Sequence, residues 1–283
     1  MKETTVKVSV ETRDRIRALG GATYEDTTIE ALDALEAERF WSQTESAKLW
    51  FESLAPEDRL SDAWPRSFLG DEGAIRVTTA FHRIIRGSAA LMNADVVFLD
   101  VGPNLGAINR AALLASDALV VPLAADLFSL QGLRDLGPTL REWRRSWQDI
   151  VLPRVPAAVH APAGTMEPIG YVVLQRVVRL DRPVKAYDRW LRRIPGEFHR
   201  SVLGESDPSN FSSGADPCQL ASLRNYRSLT PLAQDARKPM FDLRASDGAL
   251  GSTGRLVQTC YREFEDLASR VMEAANIPMP VAS

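Results

Sequence analysis

The chain has 283 residues, of which 45% are hydrophobic and 25% charged, with 17 glycines and 17 prolines. These proportions are typical of a folded globular protein, and they exclude collagen-like, low-complexity and wholly disordered chains. The formal net charge of −3 excludes a positive field over the whole molecule, so nucleic acid would have to bind at local basic patches.

The sequence has no pattern typical of a membrane span, a disulfide framework or a metal site. Its longest apolar stretch, residues 118–125, is much shorter than a transmembrane helix of ~20 residues, and the N-terminus has no apolar signal core. We therefore expect a cytoplasmic protein. Cys218 and Cys260 belong to no CxxC motif and the three histidines are scattered, so we predict plain thiols and no metal.

The first predicted element is a short strand. Residues 4–10 read TTVKVSV, and this alternation places three valines on one face. Ser9 can cap a following helix that ends at Gly20-Gly21, and a second helix is predicted from about residue 25 to 41. One strand and two helices bury too little apolar surface to be stable alone, which favours pairing with a second copy.

This order of elements over residues 3–41 resembles the ribbon-helix-helix family of dimeric DNA-binding proteins. The resemblance implies that the paired strands place Thr5, Lys7 and Ser9 against the bases of the major groove. The alternative is an amphipathic N-terminal hairpin packed on the larger domain. We predict a ribbon-helix-helix-like segment at residues 1–45 and a linker at residues 46–71.

The rest of the chain alternates helix and strand. A helix is predicted from about residue 72 to 92, followed by residues 94–100, which are apolar on both faces and typical of a buried parallel strand. A helix at 108–115, a strand at 118–123, a helix at 127–147 and a strand at 169–175 follow. This alternation predicts a parallel sheet with a ligand crevice beyond the carboxyl ends of its strands, where Asp100, Asp126 and Gln175 fall.

Three blocks in this part of the chain occur in a specific order and spacing: DVVFLDVGPNLG at 95–106, ASDALVVPL at 115–123 and FSLQGLR at 128–134. Together they resemble ParA, the partition ATPase family related to MinD, and NYRSLTPLAQDARKP at 225–239 resembles the C-terminal helix and strand of that family. The resemblance covers residues 72–272, within a predicted domain at 72–275 that a tail at 276–283 follows.

The ParA resemblance implies an α/β P-loop fold of the SIMIBI type, with ATP and Mg²⁺ as cofactors. It implies a homodimer that binds DNA non-specifically, and a ParB-like partner protein. Asp100 would lie near the magnesium ion and the attacking water, and the nucleotide-binding residues would be Gly102, Pro103, Asn104 and Gln175. The alternative for Asp100 is a strand-end carboxylate that caps the next helix.

One element of the family is missing from the sequence. The chain contains no GKS or GKT motif, and nothing before Asp95 supplies the strand and the glycine-rich, lysine-bearing loop that hold the phosphates. Such a loop neutralises several negative charges with backbone amides and a lysine. We therefore predict an incomplete, mostly parallel P-loop sheet with flanking helices, and we expect little or no ATP hydrolysis by this chain alone.

A local basic region follows the third strand. Residues 176–200 contain eight basic and three acidic side chains, a net charge of +5. Contacts with the phosphate backbone of DNA are predicted for Arg176, Arg179, Arg182, Lys185 and Arg189. The alternative is an ordinary solvated helix face with Trp190 packed inward.

These patterns favour a plasmid or chromosome partition protein of the ParA type that binds DNA as a dimer and is degenerate for ATP hydrolysis. Two alternatives stay open. The first is an active ParA-family ATPase whose missing elements come from a partner. The second is a ribbon-helix-helix transcriptional regulator or antitoxin in which the α/β part is a dimer scaffold.

Overall fold

The computed structural model describes residues 57–102, 104–176, 178–179, 182–183, 189–206, 215–226 and 228–278. The predicted ribbon-helix-helix segment, with Thr5, Lys7 and Ser9, lies outside these residues, as do Pro103 and Lys185. The predicted domain boundaries therefore stay predictions.

Three helices open the described part of the chain: α1 (Glu57–Ser67), α2 (Glu72–Thr78) and α3 (Ala80–Met92). The helix predicted over 72–92 is thus interrupted at Thr79, whose hydroxyl donates a 2.8 Å hydrogen bond to the carbonyl of Ile75. A side-chain bond of this kind competes with the helical hydrogen-bond ladder and is found where helices bend.

The strand predicted at residues 94–100 is absent, so this prediction was wrong. The segment has no regular secondary structure and pairs with no strand of the described chain, and Val97 and Phe98 are 44% and 83% exposed. A strand requires a neighbour that accepts and donates its backbone hydrogen bonds. The apolar pattern is present in the sequence, whereas the neighbour that would complete the strand is not in the described sheet.

A parallel sheet forms the centre of the fold. It consists of β1 (Ala118–Leu123), β2 (Glu167–Arg176) and β5 (Gln219–Arg224), in the order β1-β2-β5. The predictions of strands at 118–123 and 169–175 are confirmed. Between β2 and β5 the chain forms a two-stranded antiparallel ladder of β3 (Val178–Arg179) and β4 (Arg182–Pro183).

Helices connect these strands. Before β1 lies α4 (Ala107–Leu114), and after it α5 (Leu127–Arg145), which continues into a π-helix (Ser146–Val151) and a 3-10 helix (Leu152–Arg154). The predictions of helices at 108–115 and 127–147 are therefore confirmed. The remaining elements are α6 (Ile194–Glu197), a second π-helix (Phe198–Leu203), α7 (Thr230–Ala236), two 3-10 turns (Met240–Asp242 and Ala245–Asp247) and α8 (Ser252–Ala274).

The sheet is covered on both faces. Tyr171 and Val173 of β2 pack with Leu133 of α5 and Phe198, whereas Val172 belongs to a cluster with Leu267 of α8. Successive residues of a strand face opposite sides, so continuous burial along β2 requires helices on both sides. The fold is mixed α/β with a three-stranded parallel sheet flanked by helices, consistent with a P-loop-like fold. No helix in the described ranges has the length and apolar character needed to cross a membrane.

Candidate functional site

Asp100 is exposed and lies just before the loop that leads into α4. Within the described chain, no hydrogen bond or ion pair joins its carboxylate to another residue. The alternative in which Asp100 caps the next helix does not hold, because Gly106 occupies the N-terminal cap position of α4.

The loop that follows, residues 102–106, is held by Asn109 of α4. The Asn109 amide is buried, and its Nδ2 donates hydrogen bonds of 2.8 and 2.7 Å to the carbonyls of Gly102 and Asn104. The Asn104 side chain in turn accepts a 3.0 Å hydrogen bond from the Gly106 amide. Gly102 and Asn104, two predicted nucleotide-binding residues, are thus brought together in one ordered turn after Asp100.

The other predicted residues at the carboxyl ends of the strands play different parts. Asp126 caps α5, and its Oδ1 accepts a 2.8 Å hydrogen bond from the Ser129 amide. The Ser129 hydroxyl accepts a 3.0 Å bond from the Ala124 amide, which closes the turn between β1 and α5. Gln175 is the penultimate residue of β2, and its side chain is outside the described part of the structure.

The described sheet has no counterpart of a phosphate-binding loop. β1 pairs with β2 alone, and no described strand on its other side leads into a glycine-rich loop. Residues 248–254 are rich in glycine and precede α8, but they contain no lysine and follow a 3-10 turn instead of a buried strand. The described part of the chain therefore has no lysine-bearing loop of the kind that offsets the charge of a triphosphate.

The basic region is described only in part. In the β3–β4 ladder Arg179 and Arg182 are register partners, so two predicted DNA-contacting positions lie opposite each other, and Arg176 ends β2. Arg189 is exposed, and its guanidinium lies 4.8 Å from the ring centroid of Trp190. Trp190 itself packs against the core cluster of β1 and β2. Trp190 thus packs inward, as the interpretation of this region as a solvated helix face predicted, while Arg189 is exposed.

A cavity of about 710 Å³ lies elsewhere, between α3 and residues 159–161. Its lining carries the imidazoles of His82 and His160 and the guanidiniums of Arg83 and Arg86. Burial, and then the Arg86 charge, lower the pKa of His82 below its ordinary value. Neither Asp100 nor the 102–106 loop lines this cavity, so it is separate from the predicted nucleotide site.

Comparison with known proteins agrees with the class of domain that the sheet and loop define. Residues 78–151, from the end of α2 to the end of the first π-helix, match the AAA_31 family model, described as an AAA domain. The match makes this stretch similar to P-loop-NTPase-like domains of the ParA- and MinD-related kind.

The whole chain was also compared with curated proteins and with solved structures. No curated protein matches it. Among solved structures, protein DIP2308 from Corynebacterium diphtheriae is similar, with 21% sequence identity and a TM-score of 0.49. The similarity covers 77% of this chain and 61% of that protein, so the chain spans less than two thirds of the length of DIP2308.

Proposed function

We propose that this protein is a cytoplasmic, ParA-like partition protein that binds DNA as a homodimer and hydrolyses little or no ATP by itself. One observation carries the proposal. Asp100 is followed by the loop that Asn109 holds, where the ParA resemblance expects a nucleotide-sensing loop, while the described sheet has no strand on the outer side of β1 and no lysine-bearing loop there. These features support a chain that keeps the loop expected to sense a nucleotide and lacks, in its described part, the loop expected to hold the phosphates.

The electrostatic reason for doubting hydrolysis is specific. A nucleoside triphosphate bound with Mg²⁺ is held by backbone amides and a lysine that offset the phosphate charge, and this positioning supplies most of the catalysis. Near Asp100 the described loop offers its amides and the neutral Asn104 side chain. Asp100 could help to hold Mg²⁺, but the phosphates would lack a lysine from this chain.

The first test is nucleotide binding. Calorimetric titration with MgATP should give no binding tighter than about 1 mM, weaker than about −4 kcal/mol. Phosphate release should equal that of the Asp100→Asn variant, because Asp100 has no bound nucleotide to act on. Micromolar affinity together with steady phosphate release that Asp100→Asn abolishes would contradict the degenerate interpretation.

DNA binding through the basic region is the second part of the proposal. A net charge of +5 over residues 176–200, with Arg179 and Arg182 in register, supports contacts to phosphates. The double variant Arg179→Ala/Arg182→Ala should weaken binding to all DNA sequences equally and reduce the slope of log affinity against log salt by about 2. Arg262→Ala, an exposed arginine of α8, is the matched control and should change neither quantity.

The same binding assay tests the predicted N-terminal element. Lys7→Ala should weaken binding to a specific operator while it leaves non-specific affinity nearly unchanged, because base contacts carry the sequence information. That result would favour the regulator alternative over non-specific partition binding. Equal losses on every sequence from the Lys7 and the Arg179/Arg182 variants would contradict base reading by the N-terminal element.

One observation favours a second candidate, an active ParA-family ATPase completed by a partner. The outer edge of β1 is unpaired within the described sheet, and the apolar side chains of residues 96–98 are exposed. A strand from another polypeptide could pair with β1 and cover these side chains. If this candidate is correct, the complex of this protein with its partner, isolated at native abundance, should release phosphate. The Phe98→Asp variant should lose that activity.

A further inference from the structure

A buried polar cluster joins the second π-helix to the start of β5. It contains His199, Asp216 and Cys218, with Tyr171 of β2 and Glu205 beside them. Cys218 immediately precedes β5, and its carbonyl accepts a 2.8 Å hydrogen bond from the Tyr171 amide. The cluster therefore lies at the amino end of β5, and it contains none of the predicted nucleotide-binding residues.

The three central residues have the donor atoms and the spacing of a metal site. One imidazole nitrogen, one carboxylate oxygen and one thiol sulfur lie within 4.8 Å of one another. His199 Nε2 is 2.9 Å from Asp216 Oδ1. Two such ligands on one zinc ion would lie roughly 3.3 Å apart, given metal–ligand distances of about 2.0–2.2 Å, so a small outward shift is enough to admit the ion.

The neighbours orient these ligands in the manner of a second coordination shell. Glu205 Oε1 is 3.0 Å from Nδ1 of His199, so it can accept that N–H and direct Nε2 toward Asp216. The Tyr171 hydroxyl donates a 2.9 Å hydrogen bond to Oδ2 of Asp216, while Oδ1 lies 2.9 Å from His199 Nε2 and accepts a 3.0 Å hydrogen bond from the Cys218 backbone amide. Metal-bound histidines commonly have such a carboxylate partner, and the partner contributes to affinity.

The charges of the cluster also favour a cation. Two carboxylates and a thiol surround a single imidazole, and Asp216 is buried. A cysteine binds zinc as a thiolate, so binding of the ion would release the thiol proton of Cys218. An alternative is that His199 is simply hydrogen-bonded between the Asp216 and Glu205 carboxylates. That alternative explains the positions of these three side chains, but it gives no role to the Cys218 sulfur.

We propose that His199 Nε2, Asp216 Oδ1 and Cys218 Sγ bind one zinc ion, with water in the fourth position. Glu205 and Tyr171 are positioning residues for the two ligands that they contact. The ion would tie the second π-helix to the start of β5 and stabilise this end of the sheet. This site is independent of the function proposed above, since none of its residues belongs to the Asp100 loop or is one of the predicted DNA-contacting side chains.

The test uses the full chain, freed of metal with a chelator and kept reduced. Titration with Zn²⁺ alone should show one equivalent bound with a Kd of about 1 μM or tighter, and it should raise the unfolding temperature. Co²⁺ should give an ultraviolet thiolate-to-metal absorption band. Cys218→Ser should lose this band and weaken Zn²⁺ binding at least about tenfold, and Tyr171→Phe should weaken it about 10-fold or more while it keeps the band. Cys260→Ala is the matched control and should leave both unchanged.

A second measurement needs no variant. Bound Zn²⁺ should slow alkylation of Cys218 in the wild-type chain, as followed by mass spectrometry, and should leave the rate at Cys260 unchanged. Three results would each overturn the proposal: no Zn²⁺ binding below about 100 μM, a Co²⁺ complex without a thiolate band, or equal alkylation of Cys218 with and without Zn²⁺.

Discussion

Asp71 shows how one side chain sets a helix start. Its Oδ1 accepts the Ala74 amide at 3.0 Å, and Nε of Arg66 donates to Oδ2 at 3.0 Å. The amide hydrogen bond first, and the Arg66 contact second, lower the pKa of this carboxyl below its ordinary value. A carboxyl with a depressed folded pKa adds stability above its unfolded pKa, and this stability is lost as the pH falls through the folded value.

We therefore expect Asp71→Asn to lower the unfolding temperature at about pH 7 and to match the wild type once the pH is below the folded pKa. Asparagine keeps a cap acceptor, so this variant removes the charge alone. Asp71→Ala removes the acceptor as well and should be less stable than the wild type at both pH values. Thermal melts followed by circular dichroism measure these differences. An equal loss for Asp71→Asn at both pH values would contradict the ionic contribution.

At the same scale, the sequence suggests candidate residues whose role in binding a nucleotide stays a prediction. Asp100, Gly102 and Asn104 were predicted from the ordered blocks that resemble ParA, and the structure places the two loop residues together. The part played by Asn109 was missed. Its amide can bind the Gly102 and Asn104 carbonyls only after the loop has turned back over α4, and no spacing in the sequence reveals that turn.

At the scale of elements, α5 packs against the second π-helix at Gly137. A Cβ atom on Gly137 would lie 1.8 Å from the carbonyl oxygen of Ser201, which is backbone and cannot move aside. Arg134 and Glu197 add an ion pair of 2.8 Å across the same contact. We expect Gly137→Ala to destabilise the protein by about 3 kcal/mol, as overpacking of a tight contact does.

Gly132 provides the matched control on the same helix. It is exposed, and a Cβ atom there would meet nothing within 4 Å. Because alanine restricts the unfolded chain and favours helix, Gly132→Ala should stabilise by roughly 0.5–1 kcal/mol. Denaturant titration of both variants gives the two free energies of unfolding. Similar values for the two variants would contradict the close approach at Gly137.

The elements also show where sequence patterns were insufficient. Gln219–Arg224 was not predicted as a strand, because Leu220 and Leu223 are spaced three apart, as on a helix. Pairing with the edge of β2 and a register shift in the β2–β5 ladder allow both leucines to be buried. The strand therefore depends on its neighbour more than on its own periodicity.

At the scale of the whole molecule, substitutions can test whether residues 94–100 lie outside the core of the sheet. Val97 is 44% exposed, and Val173 of β2 is 1% exposed. Val97→Ala should change the free energy of unfolding by less than about 0.5 kcal/mol, whereas Val173→Ala should cost about 2 kcal/mol, since it removes buried methyl groups. A cost at Val97 as large as that at Val173 would show that the segment is a core strand.

The sequence by itself determined the α/β class, the strands at 118–123 and 169–175 and the helices between them, because local periodicity and apolar runs set these elements. It also determined that no GKS or GKT motif is present. The tertiary structure alone decided that residues 94–100 pair with no strand of the described sheet, that Asn109 orders the loop after Asp100, and that His199, Asp216 and Cys218 meet. Each of these depends on a partner distant in the sequence, and such partners become neighbours only when the sheet and its helices are assembled.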